Sequence, residues 1–305
     1  KYNPDIIHLH NLHGSYINVK VLFNFLSSYG KPVVWTLHDC WSFTGHCAHF
    51  ELAGCEKWKT GCFKCPQKHV YPQSKLLDRS HTNYWIKKEL FTKCENLTIV
   101  TPSKWLASHV NNSFLKNCRV EVIHNGIDVD VFKPTLGEFR EKYQLEHKRI
   151  VLGVASSWNE RKGLSDFYSL AERLDSTYQV VLVGLSKNQI ATLPSNIIGI
   201  ERTNGVRELA GIYTAADVFV NLTYEDTYPT VNLEAQACGT SVITYRTGGS
   251  TESVPEDHVV ERGDLAGIVR KIAENPHTLC MSDFSKDTFI EKYITLYKEL
   301  LVSPK

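Results

Sequence analysis

A chain of 305 residues is long for one domain, and its 42% hydrophobic and 22% charged residues are ordinary for a folded protein, which excludes disorder and fibrous architectures. A formal net charge of +1 gives no global attraction to nucleic acid, and no run approaches the roughly 18 consecutive apolar residues of a membrane-crossing helix. The opening residues carry no apolar leader core, and nine cysteines, an odd number, do not make the dense framework of a small secreted domain, so a reducing, cytoplasmic setting is expected.

Apolar runs bounded by turn residues alternate with helix-period segments, the pattern of α/β units on parallel sheets. Strands are expected at Asp5–His10, Pro32–His38, Leu97–Thr101 and Val120–His124, with helices at Asn18–Tyr29, Tyr84–Lys93 and Lys104–Ser113. A long stretch rich in Cys, Gly, Lys and aromatics, 39–73, has no period, and such loops are usually functional or stapled. Asn125-Gly126-Ile127-Asp128 and then Pro134 read as a tight turn and hinge, so the first domain is placed at 1–125. Beyond it, strands are expected at Arg149–Ala155, Gln179–Gly184, Ile197–Arg202, Val218–Leu222 and Ser241–Thr244, with helices at Leu164–Leu174, Val206–Ala215 and Thr230–Cys238. The second domain is therefore 126–280, doubly wound, with its ligand beyond the strands' carboxyl ends. A closing helix, Phe284–Leu301, lies within a last segment, 281–305, that is free to cross back to the first domain.

The most informative stretch runs from Asn221 to Thr244. A strand ends in an acidic loop, Pro229 sits where a first helical turn tolerates it, and Gly239 lies where a helix stops. Such a helix N-terminus offers unpaired N–H donors to a diphosphate, while Asp226 and Glu234 suit sugar hydroxyls. Composition alone favours a solvated acidic loop before a core helix; the order of parts favours a site.

Here the chain resembles the retaining glycosyltransferases of family 4, whose signature is an acid, seven residues and Glu, then a small-residue helix ending in Gly. Asp226 and Glu234 have that spacing, with Asp where the family has Glu and Glu225 one residue out of register. The resemblance implies that Asp226 meets the donor sugar and Glu234 holds the ribose hydroxyls, with Glu225 as an alternative acid and Thr230 and Val231 at the diphosphate. A second element, Gly153 to Leu164, ends a strand and opens a helix at Gly163 with Arg161 and Lys162 just before it, cations that are misplaced there unless an anion lies between. The family's Lys-Gly matches Lys162 and Gly163, and its earlier Arg is replaced by Ser156 and Ser157, so Arg161 is a candidate for the missing charge. Gly248-Gly249 resembles the family's next phosphate loop.

In the first half, His38-Asp39 follows the apolar strand Val33–Leu37. The family carries a histidine there that faces the donor sugar, so His38 is assigned to catalysis, with Asp39, His10 and His13 on the acceptor side. Thr101-Pro-Ser-Lys104 and the hinge complete the match, which covers nearly the whole chain. It is similar to bacterial members from polysaccharide gene clusters that also carry the Cys-rich loop. Members usually begin with an earlier strand and glycine loop, so the first domain is expected to be incomplete.

Cys47, Cys55, Cys62 and Cys65 are spaced C-x7-C-x6-C-x2-C, and structural zinc, a disulfide pair and buried thiols all fit, with Cys40, His46 and His49 as further ligands. From Lys57 to Lys93, nine Lys or Arg stand against Asp78 and Glu89 and are interleaved with aromatics, which suits an anionic membrane surface or a lipid-linked acceptor as well as solvated helix faces.

The expected architecture is α/β, two Rossmann-like domains facing across a cleft in the GT-B manner. The resemblance implies transfer of a hexosyl-type sugar from a nucleoside-diphosphate sugar to a hydroxyl of a glycan or lipid-linked glycan, with retention, in polysaccharide biosynthesis. No catalytic metal and no nucleic acid are expected, and contact with the inner membrane face would be peripheral. The rival from another class is a non-catalytic sugar-nucleotide or glycan-binding protein.

Overall fold

A computed structural model describes residues 2–14, 16–74, 76–274 and 284–302. The chain forms two compact units, Lys1–His124 with Phe289–Lys305, and Asn125–Thr288.

In the first unit, β1 (Ile7–Leu9), α1 (Val19–Tyr29), β2 (Val33–Thr36), α2 (Ser80–Thr92), β3 (Leu97–Thr101), α3 (Lys104–Asn111) and β4 (Arg119–Val122) build a parallel sheet of order β1-β2-β3-β4. Every residue of β2 and β3 is buried, as strands covered on both faces must be. One face packs Trp35 and Ile99 against Phe23, Phe91 and Leu106. The other packs Val34 and Val100 against Tyr293 and Leu296 of the closing helix, Lys286–Val302. Local signals set the helix ends. Asn18 caps α1 by accepting from the backbone of Lys20 and Val21, and Gly30 closes it in the left-handed region. Helix α2 begins at Ser80 rather than Tyr84, because Asp78 accepts from the Ser80 backbone at 2.8 Å.

The loop after β2 holds itself by packing and by one lysine. Phe50 stacks on Trp58 at 5.0 Å, and Phe43 meets the same indole edge-on at 5.3 Å. Lys87 of α2, wholly buried, donates to the carbonyls of Trp41 (2.6 Å) and Thr44 (3.0 Å), with its ammonium 3.3 Å from the Trp41 ring centre. Burial holds the Lys87 pKa well below its usual value, opposed by nearby Asp39.

In the second unit, α4 (Phe139–Lys142), β5 (Arg149–Val154), α5 (Leu164–Arg173), β6 (Tyr178–Val183), α6 (Lys187–Ala191), β7 (Ile197–Ile200), α7 (Val206–Ala215), β8 (Val218–Asn221), α8 (Thr230–Ala237), β9 (Ser241–Tyr245), β10 (Val259–Val260) and α9 (Leu265–Glu274) follow in order. The sheet is parallel throughout, β10-β9-β8-β5-β6-β7. Strand order reverses between β5 and β8, and a doubly wound sheet opens its binding crevice at the carboxyl ends of such a pair. The unit runs to Thr288, past the expected 280: the Ile127 backbone donates to Phe284 O at 2.9 Å, and Phe284 packs with Ile127, Tyr228 and Leu233. Among the described residues, no helix is long and apolar enough to cross a membrane.

Candidate active site

A cavity of about 600 Å³ opens at that switch point of the second unit. Its walls come from the ends of β5 (Val154–Ser156) and β8 (Val220, Asn221), and from Lys162, Asp226, Thr230, Val231 and Glu234. The sequence places the last five together through two short connections. Asn159 caps a helical turn at Glu160–Lys162 by accepting from Lys162 N, and Gly163 then takes φ +72 to start α5. A Cβ at Gly163 would lie 2.2 Å from Leu222 O, so only glycine lets this turn lie against β8. Helix α8 starts after Pro229, which offers no side-chain cap, and its first residues Thr230 and Val231 turn their N-terminal end to the cavity.

Lys162 Nζ and Asp226 Oδ2 are 2.6 Å apart, with only 20% and 16% of the side chains exposed. Glu234 Oε2 accepts from the buried Tyr213 hydroxyl at 3.0 Å. Burial raises the Glu234 pKa above its ordinary value, while hydrogen bonds from Tyr213 and Thr230 pull it down. The same burial and the adjacent carboxylate push the Tyr213 hydroxyl far up, which keeps it a donor.

Four expected residues of this half take other places. The Arg161 guanidinium donates to Glu225 O at 3.1 Å, and the Arg161 carbonyl accepts from Tyr224 N at 2.8 Å, so Arg161 braces the acidic loop and does not line the cavity. Glu225 is 3% exposed and lies outside the cavity wall, which leaves Asp226 as the acid that faces it. Gly248 and Gly249 act on that acid through the backbone: Gly249 N donates to Asp226 O at 3.0 Å, and a Cβ at Gly248 would meet the same oxygen at 2.0 Å.

Residues that sequence reasoning passed over also line the cavity: Trp158, Gly184 and the run Glu201-Arg202-Thr203 just past β7. Their signal was positional, since loops at the carboxyl ends of β5, β6 and β7 share the edge of the crevice. Tyr213 had no local signal, because its partner Glu234 is on another helix.

In the first unit, His10, His13, His38 and Asp39 surround one small hollow at the ends of β1 and β2. His10 Nδ1 and His38 Nε2 are 3.1 Å apart, and His13 Nε2 lies 3.3 Å from Asp39 Oδ2. Behind them His8 bonds the Tyr297 hydroxyl (2.6 Å) and Thr36 Oγ1 (2.8 Å). Burial, then the neighbouring His10 and His38, bring the His8 pKa down from 6.5 to about 4, and burial also lowers His10 and His38. All three are therefore neutral imidazoles near pH 7. A lowered folded pKa means that the unfolded chain binds more protons between about 4 and 6.5. Stability from His8 is thus complete above 6.5 and lost as pH falls toward 4. Thermal melts at pH 7.5 and 4.5 should show a smaller acid-induced loss in His8→Gln than in the parent, by on the order of 3 °C.

Cys47, Cys55, Cys62 and Cys65 line one small cavity with Phe50 and Trp58, all as free thiols, and Gly45 N donates to Cys62 Sγ at 3.1 Å. Among the described residues, no group of three or more His, Cys, Asp or Glu side chains is placed to hold a metal ion. The staple seen in the loop is its aromatic packing and Lys87.

Two family models match the chain: Glycosyltransferase Family 4 over residues 1–131 and Glycosyl transferases group 1 over residues 148–275. The putative colanic acid biosynthesis glycosyl transferase WcaC of Escherichia coli is 28% identical over 322 residues, covering 97% of this chain and 77% of that protein. Among solved structures, sucrose-phosphate synthase from Thermosynechococcus elongatus superposes with a TM-score of 0.73 at 19% identity, over 98% of this chain and 74% of that one. HepE of Anabaena, solved in complex with UDP, gives 0.68 at 15% identity, over 97% and 79%. The chain thus has the GT-B fold of these neighbours, and its matches to a Family 4 segment and a group 1 segment support a glycosyltransferase.

Proposed function

We propose that the chain transfers a sugar from a nucleoside-diphosphate sugar to a hydroxyl of a glycan or lipid-linked glycan, with retention at the anomeric carbon, in bacterial exopolysaccharide biosynthesis. The observation that carries this reading is the switch-point cavity, where Lys162, the N-terminus of α8, Asp226 and Glu234 meet. Their chemistry matches a sugar nucleotide part by part: an ammonium and helix N–H groups for the diphosphate, and carboxylates for hydroxyls. The similarity to WcaC supports the polysaccharide setting, and the UDP bound in HepE supports the nucleotide.

The donor phosphates rest on Lys162 and the first turn of α8, and the ribose hydroxyls donate to Glu234. As the bond from the anomeric carbon to the phosphate oxygen lengthens, negative charge grows on the leaving diphosphate. Lys162 and the α8 N-terminus stabilise it there, a preorganised electrostatic effect. The step as proposed calls on no metal. His38, neutral and held by His10, is assigned to the transferred sugar. A structural zinc on the four loop thiols, which would have to draw in around a common centre, belongs to the fold of the loop, and metal analysis of the purified chain tests it.

The setting is proposed to be the cytoplasm, at the inner face of the membrane. Supporting this, Phe63, Val70, Tyr71, Leu77 and Trp85 are exposed in the same segment as Lys57, Lys59, Lys64, Lys68 and Lys88. Co-sedimentation with vesicles containing anionic lipid, falling as salt is raised, is the expected result.

A panel of UDP-, GDP- and ADP-sugars tests the reading. Release of the nucleoside diphosphate from at least one, dependent on Lys162, is expected. Binding without turnover, unaffected by Lys162→Ala, would instead establish the non-catalytic binding protein.

A further inference from the structure

The ion pair between Lys162 and Asp226 lies inside the donor cavity, and its two members are the groups assigned to different parts of the donor. We infer that Asp226 is an internal counter-ion for the phosphate lysine, exchanged for the donor's phosphate on binding and restored when the product leaves. The inference rests on the donor-site reading above and adds a role that the signature does not contain.

The pair is imposed by its surroundings. Asp226 Oδ1 accepts from Tyr228 N at 3.2 Å, and its carbonyl is held by Gly249 N at 3.0 Å against a glycine that leaves no room for a Cβ. On the other side, Lys162 N is fixed by Asn159 Oδ1 at 3.2 Å, and Gly163 is pressed onto Leu222 O. Both charged side chains are about four-fifths buried, so neither has solvent as a ready replacement partner.

A nucleoside diphosphate alone therefore has a cost to meet. It draws Lys162 toward its phosphates and leaves Asp226 buried without its cation, beside an incoming anion. A sugar nucleotide avoids that cost, because its hexose hydroxyls donate to the released carboxylate while its phosphate takes the lysine. The partners are exchanged with none left over. After transfer the hexose is gone, and Asp226 competes for Lys162 against the remaining diphosphate. Such an arrangement favours the substrate over the product and hastens product release.

The test is calorimetric titration of UDP, GDP and ADP into the parent chain, Asp226→Asn and Asp226→Ser, with thermal melts to confirm folding. None of the three probes carries a hexose, so an acid that only met the sugar would leave their affinities unchanged. Loss of the counter-ion is expected to tighten the nucleotide that the parent binds by about tenfold in both variants. The matching sugar nucleotide is expected to gain no affinity, and Lys162→Ala to weaken the diphosphate. Unchanged or weaker diphosphate binding in the folded Asp226 variants overturns the counter-ion role while leaving the donor site standing. Failure of the parent to bind any of the three probes overturns the donor-site reading itself.

Discussion

Lys162→Ala is expected to lower sugar transfer by about two to three orders of magnitude, the size seen when one preorganised charge or donor is removed from a transition state. The effect should fall mainly on kcat, because charge on the diphosphate increases as the glycosidic bond breaks and Lys162 is placed to meet that increase. Part of the loss has a second origin. Removing the ammonium leaves Asp226, 16% exposed, as a carboxylate without its 2.6 Å partner in the same cavity, and that anion repels the donor. Lys162→Arg keeps the charge but spreads it over a planar fork, and is expected to restore only part of the activity. Single-turnover rates for the three proteins check the order: parent, then Arg, then Ala.

Glu234→Ala is expected to weaken nucleotide binding by about ten- to a hundredfold, as for loss of hydrogen bonds to a charged group. Its position explains why. Glu234 is on the second turn of α8, partly buried, with one oxygen taken by the Tyr213 hydroxyl, which fixes the carboxylate toward the cavity. The same burial gives the pH sense. Because the Glu234 pKa is raised, the carboxylate proposed to accept from ribose is lost on acidification at a higher pH than for an ordinary glutamate. Nucleotide affinity in the parent should therefore decline on acidification before the usual carboxylate range is reached, and the variant's weaker binding should lack that decline. Titration with the nucleoside diphosphate across pH, in both proteins, measures the difference.

The strands of both sheets were legible because parallel strands covered on two faces are continuous apolar runs, as Leu152, Val181 and Phe219 illustrate at full or nearly full burial. Helix α9 was not among the expected helices, although Leu265, Ile268, Val269 and Ile272 fall at helical spacing after Asp264, which accepts from Gly267 N at 2.9 Å. The two-residue β10 and the short α4 and α6 carry too few residues for a period to show. In the site, the resemblance named Lys162, Asp226 and Glu234 by their spacing, each at a fixed offset from a strand end or helix start, and the structure brings the three to one cavity. The places of Arg161 and Glu225 were not legible, since adjacent residues in a loop point in different directions and composition cannot say which. The bracing of Arg161 on Glu225 O, like the ion pair between Lys162 and Asp226, joins segments that only the β5–β8 contact brings together.

The central claim is that the switch-point cavity of the second unit holds a nucleoside diphosphate. A crystal structure of the chain with the nucleoside diphosphate it binds most tightly is the direct measurement. The account predicts phosphates between Lys162 and the backbone at Thr230 and Val231, with ribose hydroxyls on Glu234; a nucleotide bound elsewhere, with Lys162 still on Asp226, would contradict it.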